Sequence, residues 1–322
     1  MFLRAALFAL CLLLAATANT LAAASPKTGH QNKPPAAACY TMYYKTKDRA
    51  CVDQIVKKFS DMPDNTPRGV GANAWATGFF AALFRANPRE KSRLLSQKGS
   101  TAESTLFTAA LYEAGMRDEA QTYAKAKGVS DLLRDMQGRP PLQQTKPTEN
   151  PSDNDMLIGA FMASGDTGYI ERILGNYSGV SDDMARAAMR VSMMQGRFGP
   201  TIAPPGRQPV LLQTVCAKYQ CKTNPKALIR IMTLSSALWA VGSLAQQDPV
   251  VNKALVEFFD KNPVLKKIFI EERSAFANYM TTLALYAAIK DNKHINQSLS
   301  IYEHLGSGQD AIKALMKMEK KP

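Results

Sequence analysis

The sequence predicts an all-α protein of about ten to twelve helices, arranged as stacked helical hairpins in a solenoid-like or irregular array. Two observations carry this prediction. Apolar residues recur at helical spacing almost throughout the chain after Cys39, and residues typical of helix caps bracket these runs. No segment shows the convincing period-two alternation that marks a strand, so we expect no sheet.

Start and stop signals divide the chain into these helices. Ser100 with Glu103 forms a capping box, in which each residue satisfies a free N–H of the first turn, and Ser152 with Asp155 resembles a second box. Gly115 is placed to end the helix that follows the first box, because glycine readily adopts the left-handed conformation found at helix ends.

Further starts are marked by an Asx residue followed by proline, which loses no hydrogen bond at the first helical position. These dipeptides are Asn87-Pro88, Asn224-Pro225, Asp248-Pro249 and Asn262-Pro263. They predict helices over Pro225–Ala245, Pro249–Asp260 and Pro263–Lys290. Ser181 is expected to cap another helix, which Gly196 closes.

Residues 1–24 have the features of a secretory signal peptide. Met1–Arg4 carries one positive charge, an unbroken apolar run follows over residues 5–16, and Ala22-Ala23-Ala24 offers a cleavage site. The apolar run is too short for a membrane span. We therefore expect a periplasmic or secreted protein, cut near Ala24, in a compartment where disulfides can form.

The mature chain is strongly basic. The sequence has 40 Lys and Arg against 27 Asp and Glu, and the signal removes only Arg4, so the net charge falls from +13 to +12. This charge favours association with anionic lipid or glycan, although an ordinary solvated surface has the same composition. The basic residues are scattered and lack an interleaved aromatic motif, so nucleic acid is not an expected partner.

Four of the five cysteines remain after cleavage, because Cys11 lies within the signal. Cys39 with Cys51 and Cys216 with Cys221 form two close pairs, which in an exported chain indicates two local disulfides among three possible connectivities. The second pair would point about 140° apart on a continuous helix, so its bridge requires a turn. Zinc is the alternative, but the spacing is not C-x₂-C and no histidine lies close by.

The chain divides at its Pro-rich segments. Residues 25–38 are a polar, flexible lead-in, and residues 139–151 form a linker or loop between helical regions 39–138 and 152–322. Two apolar segments, Ile229–Leu244 and Ser274–Ile289, are shorter than the roughly 20 residues of a membrane span. Both are expected to be buried helices, in a protein that does not span a membrane.

One predicted hairpin carries a family resemblance. In the segment Leu106–Lys127, Gly115 lies at a turn between helices, Ala120 follows at the position of a small packing residue, and Leu111 and Tyr123 occupy apolar positions. This segment resembles one unit of the tetratricopeptide repeat family, although the Trp-Leu-Gly pattern of that family is absent and the candidate turns have no fixed period. The resemblance implies stacked helical hairpins that bind partners rather than catalyse.

The sequence offers little enzymatic chemistry. His30, His294 and His304 lack convergent partners, and the motifs of acyl-enzyme hydrolases, P-loop enzymes and Rossmann oxidoreductases are absent. We therefore expect no metal and no cofactor. One enzymatic alternative remains: Glu103-Ser104 resembles the Glu-Ser pair of lytic transglycosylases, which would make Glu103 the catalytic acid, although the Gly/Gln-rich segment of that family is missing.

The leading hypothesis is an exported, non-enzymatic scaffold or binding protein of the cell envelope that presents a groove to a protein or peptide. The candidate binding residues are Tyr112, Tyr123, Phe161 and Tyr169, although ordinary core positions are the favoured interpretation of all four. A basic binder of anionic lipid or glycan is the other alternative to this hypothesis, and salt would abolish its binding.

Overall fold

The computed structural model describes residues 43–61, 74–145, 150–202 and 225–275, all of which belong to one compact unit, Ala36–Pro322. The predicted signal peptide, the lead-in and the segment Ser274–Ile289 beyond residue 275 lie outside the described residues. Every regular element in the described ranges is helical, which confirms the all-α prediction.

The described ranges contain thirteen α-helices. They are α1 (Tyr43–Thr46), α2 (Arg49–Ser60), α3 (Ala74–Ala86), α4 (Pro88–Leu95), α5 (Thr101–Glu113), α6 (Arg117–Lys127), α7 (Asp131–Asp135), α8 (Pro151–Ser164), α9 (Thr167–Leu174), α10 (Asp182–Ile202), α11 (Pro225–Ala245), α12 (Pro249–Lys261) and α13 (residues 263–275). Single 3₁₀ turns lie at Leu142–Gln144 and Gly175–Tyr177.

Three of the described helices begin at predicted caps. The side chains of Asn87 and Asp248 accept hydrogen bonds from first-turn N–H groups of α4 and α12, and proline occupies the first turn of each helix. Ser100 Oγ accepts from the N–H of Glu103 at 3.2 Å, which satisfies one of the free donors at the start of α5. α11 has the predicted bounds, and α12 ends at Lys261, one residue later than predicted.

The predicted capping box at Ser152 and Asp155 is wrong. α8 begins at Pro151, and the side chain of Asn150 accepts from the N–H of Ser152 at 3.1 Å. Asn150-Pro151 is therefore a further Asx-Pro start, and the proline fixes the first helical position one residue before the predicted cap.

The predicted end of α10 is also wrong. The helix begins at Asp182, directly after Ser181 as expected, but it continues through Gly196 to Ile202. A glycine inside a helix costs only about 1 kcal/mol relative to alanine, so it does not end a helix by itself.

Two glycines allow α3 and α8 to cross in backbone contact. A Cβ atom at Gly78 would lie 1.8 Å from the carbonyl oxygen of Met156, and one at Gly159 would lie 1.8 Å from the carbonyl oxygen of Trp75. Each glycine thus faces the main chain of the opposite helix. Because no side chain separates the helices at this crossing, α8 lies deep in the described fold.

An aromatic cluster fills the space between α3 and α5. Phe80 packs edge-on against Phe79 and Phe107, with ring centroids 5.5 and 5.2 Å apart, and Phe84 packs against Phe107 at 5.6 Å. All four side chains are fully buried. Edge-to-face pairs of this kind contribute about 0.5–1.5 kcal/mol each beyond the burial of area, so the cluster is a main source of stability for the N-terminal helices.

A buried polar network fastens α11 to α8. Asn154 Nδ2 donates to the carbonyl oxygen of Thr233 at 2.9 Å, and Asn176 Nδ2 donates to Asn154 Oδ1 at 2.9 Å. The Tyr177 hydroxyl donates to the carbonyl oxygen of Leu234 at 3.0 Å. Because buried polar groups need partners, this network specifies one position for α11 against α8.

Two buried carboxylates connect further helices. Glu272 on α13 accepts hydrogen bonds from Arg186 and Arg190 on α10 at 3.3 and 2.5 Å. Asp248, the cap of α12, accepts from the Tyr44 hydroxyl of α1 at 2.7 Å. These contacts join the C-terminal helices to elements that precede them by many residues.

The helix–turn–helix predicted at Leu106–Lys127 is present as α5 and α6. Gly115 has a φ of +81° in the turn, and the Met116 N–H donates to the carbonyl oxygen of Leu111 at 3.0 Å. Ala120 is fully buried, as the packing position requires. Gly165 ends α8 in the same left-handed conformation before α9 begins. A solenoid-like stacking of these hairpins stays a prediction.

Candidate functional site

The four aromatic residues predicted as a binding face lie in the hydrophobic core. Phe161 is fully buried, and Tyr112, Tyr123 and Tyr169 are between 4 and 9% exposed. All four belong to one cluster of buried apolar side chains. The structure thus places all four at core positions, which is the favoured interpretation of their sequence pattern, and a contact of any of them with a partner stays a prediction.

Two of these tyrosines support arginine side chains beside the loop that joins α7 to α8. The guanidinium of Arg117 lies 4.7 Å from the ring centroid of Tyr112, and that of Arg172 lies 4.7 Å from the ring centroid of Tyr169. Such cation–π contacts hold each guanidinium in a fixed place.

The same arginines bind the main chain of that loop, whose residues 139–145 we call the connector. Arg117 Nη2 donates to the carbonyl oxygen of Arg139 at 2.6 Å, and Arg172 Nη1 donates to the carbonyl oxygen of Leu142 at 2.7 Å. The Leu142 side chain is fully buried. The connector is therefore held at two carbonyls and one apolar anchor, and it joins helices within a single packed unit.

The side chain of Arg139 pairs with two buried carboxylates, Glu113 on α5 and Asp153 on α8. Its Nε donates to Glu113 Oε1 at 2.9 Å, and its Nη2 donates to Asp153 Oδ1 at 2.9 Å. Glu113 is 1% exposed, and its Oε2 is buried without a hydrogen-bond partner. One guanidinium thus serves both carboxylates of this cluster, which we call the connector cluster.

The environment of Glu113 favours its neutral form. Burial raises the pKa of Glu113 above its usual range, and the nearby charge of Arg139 only partly opposes this rise. A carboxyl in such a place holds its proton to a higher pH than an exposed glutamate does. It can therefore act as a proton donor or as a pH-sensitive contact.

Asp155, early in α8, is a second carboxyl whose proton affinity is raised. Burial raises its pKa to about 6, and no charged group among the described residues opposes the rise. Above that pH the ionised carboxylate loses hydration without gaining a partner charge, so its ionisation opposes folding.

We expect Asp155→Asn to stabilise the protein at about pH 7.5 and to reduce its pH dependence. The folded-state pKa of Asp155, about 6, exceeds the usual value of about 3.9 for an aspartate. The protonated carboxyl therefore stabilises the folded state fully below about pH 4, and this stabilisation is lost as the pH rises through about 6. Urea denaturation should show a gain of about 1–2 kcal/mol at about pH 7.5 and none at about pH 4, with allowance for partial exposure.

The matched control is Asp135→Asn, which neutralises an exposed carboxylate on α7. This variant should leave stability within about 0.5 kcal/mol of the wild type at both pH values. An equal gain in the control would show a general charge effect, and no gain in Asp155→Asn would contradict the assignment.

Glu103, the candidate catalytic acid, holds α5 to α2. Its Oε2 accepts from Ser60 Oγ at 2.8 Å, and the side chain is 3% exposed. Burial raises the pKa of Tyr123 to about 12, and the Glu103 carboxylate adds to that rise. These contacts explain Glu103 as a structural residue, and a carboxyl buried to this extent offers little surface to a glycan.

The large apolar side chains that the described residues expose all lie on α11, α12 and α13. They are Ile229, Trp239, Val250, Val256, Val264 and Ile270, each between 38 and 56% exposed. None lies on the described parts of α1 to α9. Among the side chains whose burial the structure describes, the exposed large apolar ones are therefore confined to the C-terminal helices.

The outward side of α11 carries an uncharged stripe, which we call the α11 stripe. It consists of Ile229, Met232, Ser236 and Trp239, which are partly or largely exposed and recur at spacings of three, four and three residues. Residues at this spacing share one helix face. No charged residue occurs from Ile231 to Ala245, so the stripe has no charged neighbour on its own helix over most of its length.

α11 is long and apolar enough to be compared with a membrane span. Among the described residues, Lys226–Ala245 is the one window long and apolar enough to cross a membrane, and half of that window is buried. Core helices of soluble proteins meet the same criterion, so the window alone does not identify a span. The apolar run Ile229–Leu244 predicts a buried helix, whereas one side of α11 is partly exposed.

The predicted cysteine and histidine chemistry falls mostly outside the described residues. Cys51 is buried in the first turn of α2, while Cys39, Cys216, Cys221 and all three histidines lie outside the described ranges. The two disulfide pairings therefore stay predictions. Within the described ranges, no group of three or more His, Cys, Asp or Glu residues could hold a metal ion.

Comparison with known proteins gave no relative for this chain: no family model, no curated protein and no solved structure matches it.

Proposed function

We propose that this chain is an exported, non-enzymatic scaffold of the cell envelope that binds a protein or peptide partner through the C-terminal helices. The observation that carries the proposal is the α11 stripe, with Trp239 44% exposed in an uncharged setting. Trp is enriched among the residues that dominate binding energy in protein interfaces, and charged residues are depleted at interface centres.

The site geometry supports binding more than catalysis. The candidate acid Glu103 is buried and hydrogen-bonded to Ser60, and the candidate aromatic residues pack into the core. α3 and α8 cross in backbone contact, and Asn154 of α8 donates a hydrogen bond to α11. A preformed helix face binds with little loss of conformational entropy, which suits a scaffold.

Export and the two local disulfides belong to the same proposal. The support is the signal-like segment before Ser25 and the even number of cysteines after it. Mass spectrometry of the secreted protein without reduction should find Ser25 at the N-terminus and peptides that link Cys39 to Cys51 and Cys216 to Cys221.

The relation to tetratricopeptide repeats is likewise a proposal, supported by the α5–α6 hairpin.

Substitution of Trp239 tests the binding function. With the mature chain as bait in an extract of the exporting compartment, a stoichiometric protein should be retained by the wild type. Trp239→Ser should weaken its binding by at least about tenfold, as expected for a central aromatic contact. Thermal unfolding of the variant must show that the fold is kept.

Lys125→Ala on the exposed side of α6 provides the control. It should bind as the wild type does, because α6 lies outside the proposed face. Equal binding by the wild type and Trp239→Ser would contradict a role for the α11 stripe, and retention of glycan or lipid alone would favour the basic-surface alternative.

A further inference from the structure

The connector cluster contains a buried carboxylate oxygen that the binding function does not use. Arg139 reaches one oxygen of Glu113 and one of Asp153, and in the described contacts it is the only cation that hydrogen-bonds Glu113. Glu113 Oε2 is buried and has no donor. Burial of an ionised carboxylate is costly when one of its oxygens has no hydrogen-bond donor.

The groups around Glu113 come from every neighbouring element. Arg139 of the connector, Asp153 of α8 and Arg117 of α6 act on its charge. Arg85 of α3 donates to the adjacent carbonyl of Ala114 at 3.3 Å. On α7, Asp131 and Arg134 pair with each other at an exposed position. No second cation therefore pairs directly with the orphan oxygen among the described residues.

We propose that Glu113, Arg139 and Asp153 form a proton-operated latch, which holds the connector more firmly in an acidic compartment than in a neutral or alkaline one. A proton from solvent binds Glu113 Oε2, and the buried negative charge is removed. Glu113 Oε1 still accepts from Arg139, and Arg139 remains paired with Asp153, so the contacts that fix the connector persist after proton uptake. When the proton leaves, Glu113 is ionised in a site that does not satisfy it, and the connector opens more often.

The sign of the pH effect follows from linkage. Between the ordinary pKa of a glutamate and the raised pKa of Glu113, the closed state binds more protons than the open state, so closing becomes less favourable as the pH rises. Above that range both states are ionised and the effect is flat. Below that range both states are protonated and the effect is flat. One linked proton changes the closing equilibrium by at most about tenfold per pH unit.

Hydrogen exchange of the connector amides tests the latch in the full protein. The N–H groups of Gln144 and Thr145 donate to the carbonyl oxygens of Pro141 and Leu142, so their exchange reports opening of the connector. After correction for the intrinsic exchange rate, their protection should fall as the pH rises between the ordinary and the raised pKa of Glu113, by at most about tenfold per pH unit. A flat profile in the wild type would overturn the proposal without any variant.

Glu113→Gln distinguishes a proton-operated latch from an ordinary ion pair, because glutamine keeps the shape of the glutamate side chain and removes its charge. The variant should show pH-independent protection of the connector, at least equal to that of the wild type at about pH 7.5. If Glu113 instead serves as a structural anion, the variant should lose protection at every pH, and that result would overturn the proposal. Asp155→Asn should reduce the pH dependence of global stability but leave the pH dependence of amide protection in the connector unchanged. This difference distinguishes the carboxyl of Asp155 from that of Glu113.

Discussion

Gly159→Ala should destabilise the protein by about 3 kcal/mol or more, a large part of the total stability of a typical domain. The new methyl group would lie 1.8 Å from the carbonyl oxygen of Trp75, a distance that only separation of α3 from α8 can relieve. The opposing atom belongs to the main chain, so no side chain can move aside. Urea denaturation should show a lower midpoint, and Gly78→Ala should behave alike, because its methyl group would meet Met156 in the same way.

Gly242→Ala is the matched control for both variants. Gly242 also lies inside a helix, α11, but a Cβ atom there would have no neighbour within 4 Å. Since alanine is the better helix former, this change should be neutral or stabilise by up to about 1 kcal/mol. Similar losses in all three variants would show that the α3–α8 crossing is not the cause.

The second large effect concerns the attachment of α11. Asn154→Ala should lower the free energy of unfolding by about 2–4 kcal/mol, because it removes a donor to Thr233, removes the acceptor for Asn176 and leaves a cavity at a fully buried position. Denaturation monitored by tryptophan fluorescence should report this loss, since Trp239 lies on the helix that the network holds in place and Trp75 lies on α3.

Asn252→Ala controls for the loss of an asparagine. Asn252 is exposed on α12, and its amide makes one long hydrogen bond of 3.4 Å to Ala245. We expect a change below about 0.5 kcal/mol. A small effect of Asn154→Ala would contradict the view that the buried network fixes α11 on α8.

The helices themselves could be predicted because their signals are local. Asn87-Pro88 and Asp248-Pro249 each place a side-chain acceptor beside free N–H groups, and the chain needs no distant partner to begin a helix there. The error at Ser152 has the same origin, since Asn150-Pro151 carries the stronger form of this signal two residues earlier. The α5–α6 hairpin was also predictable, because Gly115 and Ala120 meet local requirements of turn and packing.

The arrangement of the site depends on contacts between distant residues, and no local pattern contains it. Glu113, Arg139 and Asp153 belong to three elements, and their shared hydrogen bonds exist only after α5 and α8 have packed. Burial of Tyr112 and Tyr169 likewise depends on neighbours that composition does not reveal. Gly78 and Gly159, each within an apolar helical run, were the available signals of a close crossing, since a glycine there often has a packing reason.

The most direct test of the account is the dependence of partner capture on salt. We expect a protein partner to stay bound to the mature chain from about 0.1 M to about 1 M NaCl, because salt does not screen contacts between apolar surfaces. Trp239→Ser should abolish this binding. Capture that disappears over the same range, with Trp239→Ser behaving as the wild type, would contradict the proposed face and assign the interaction to the basic surface.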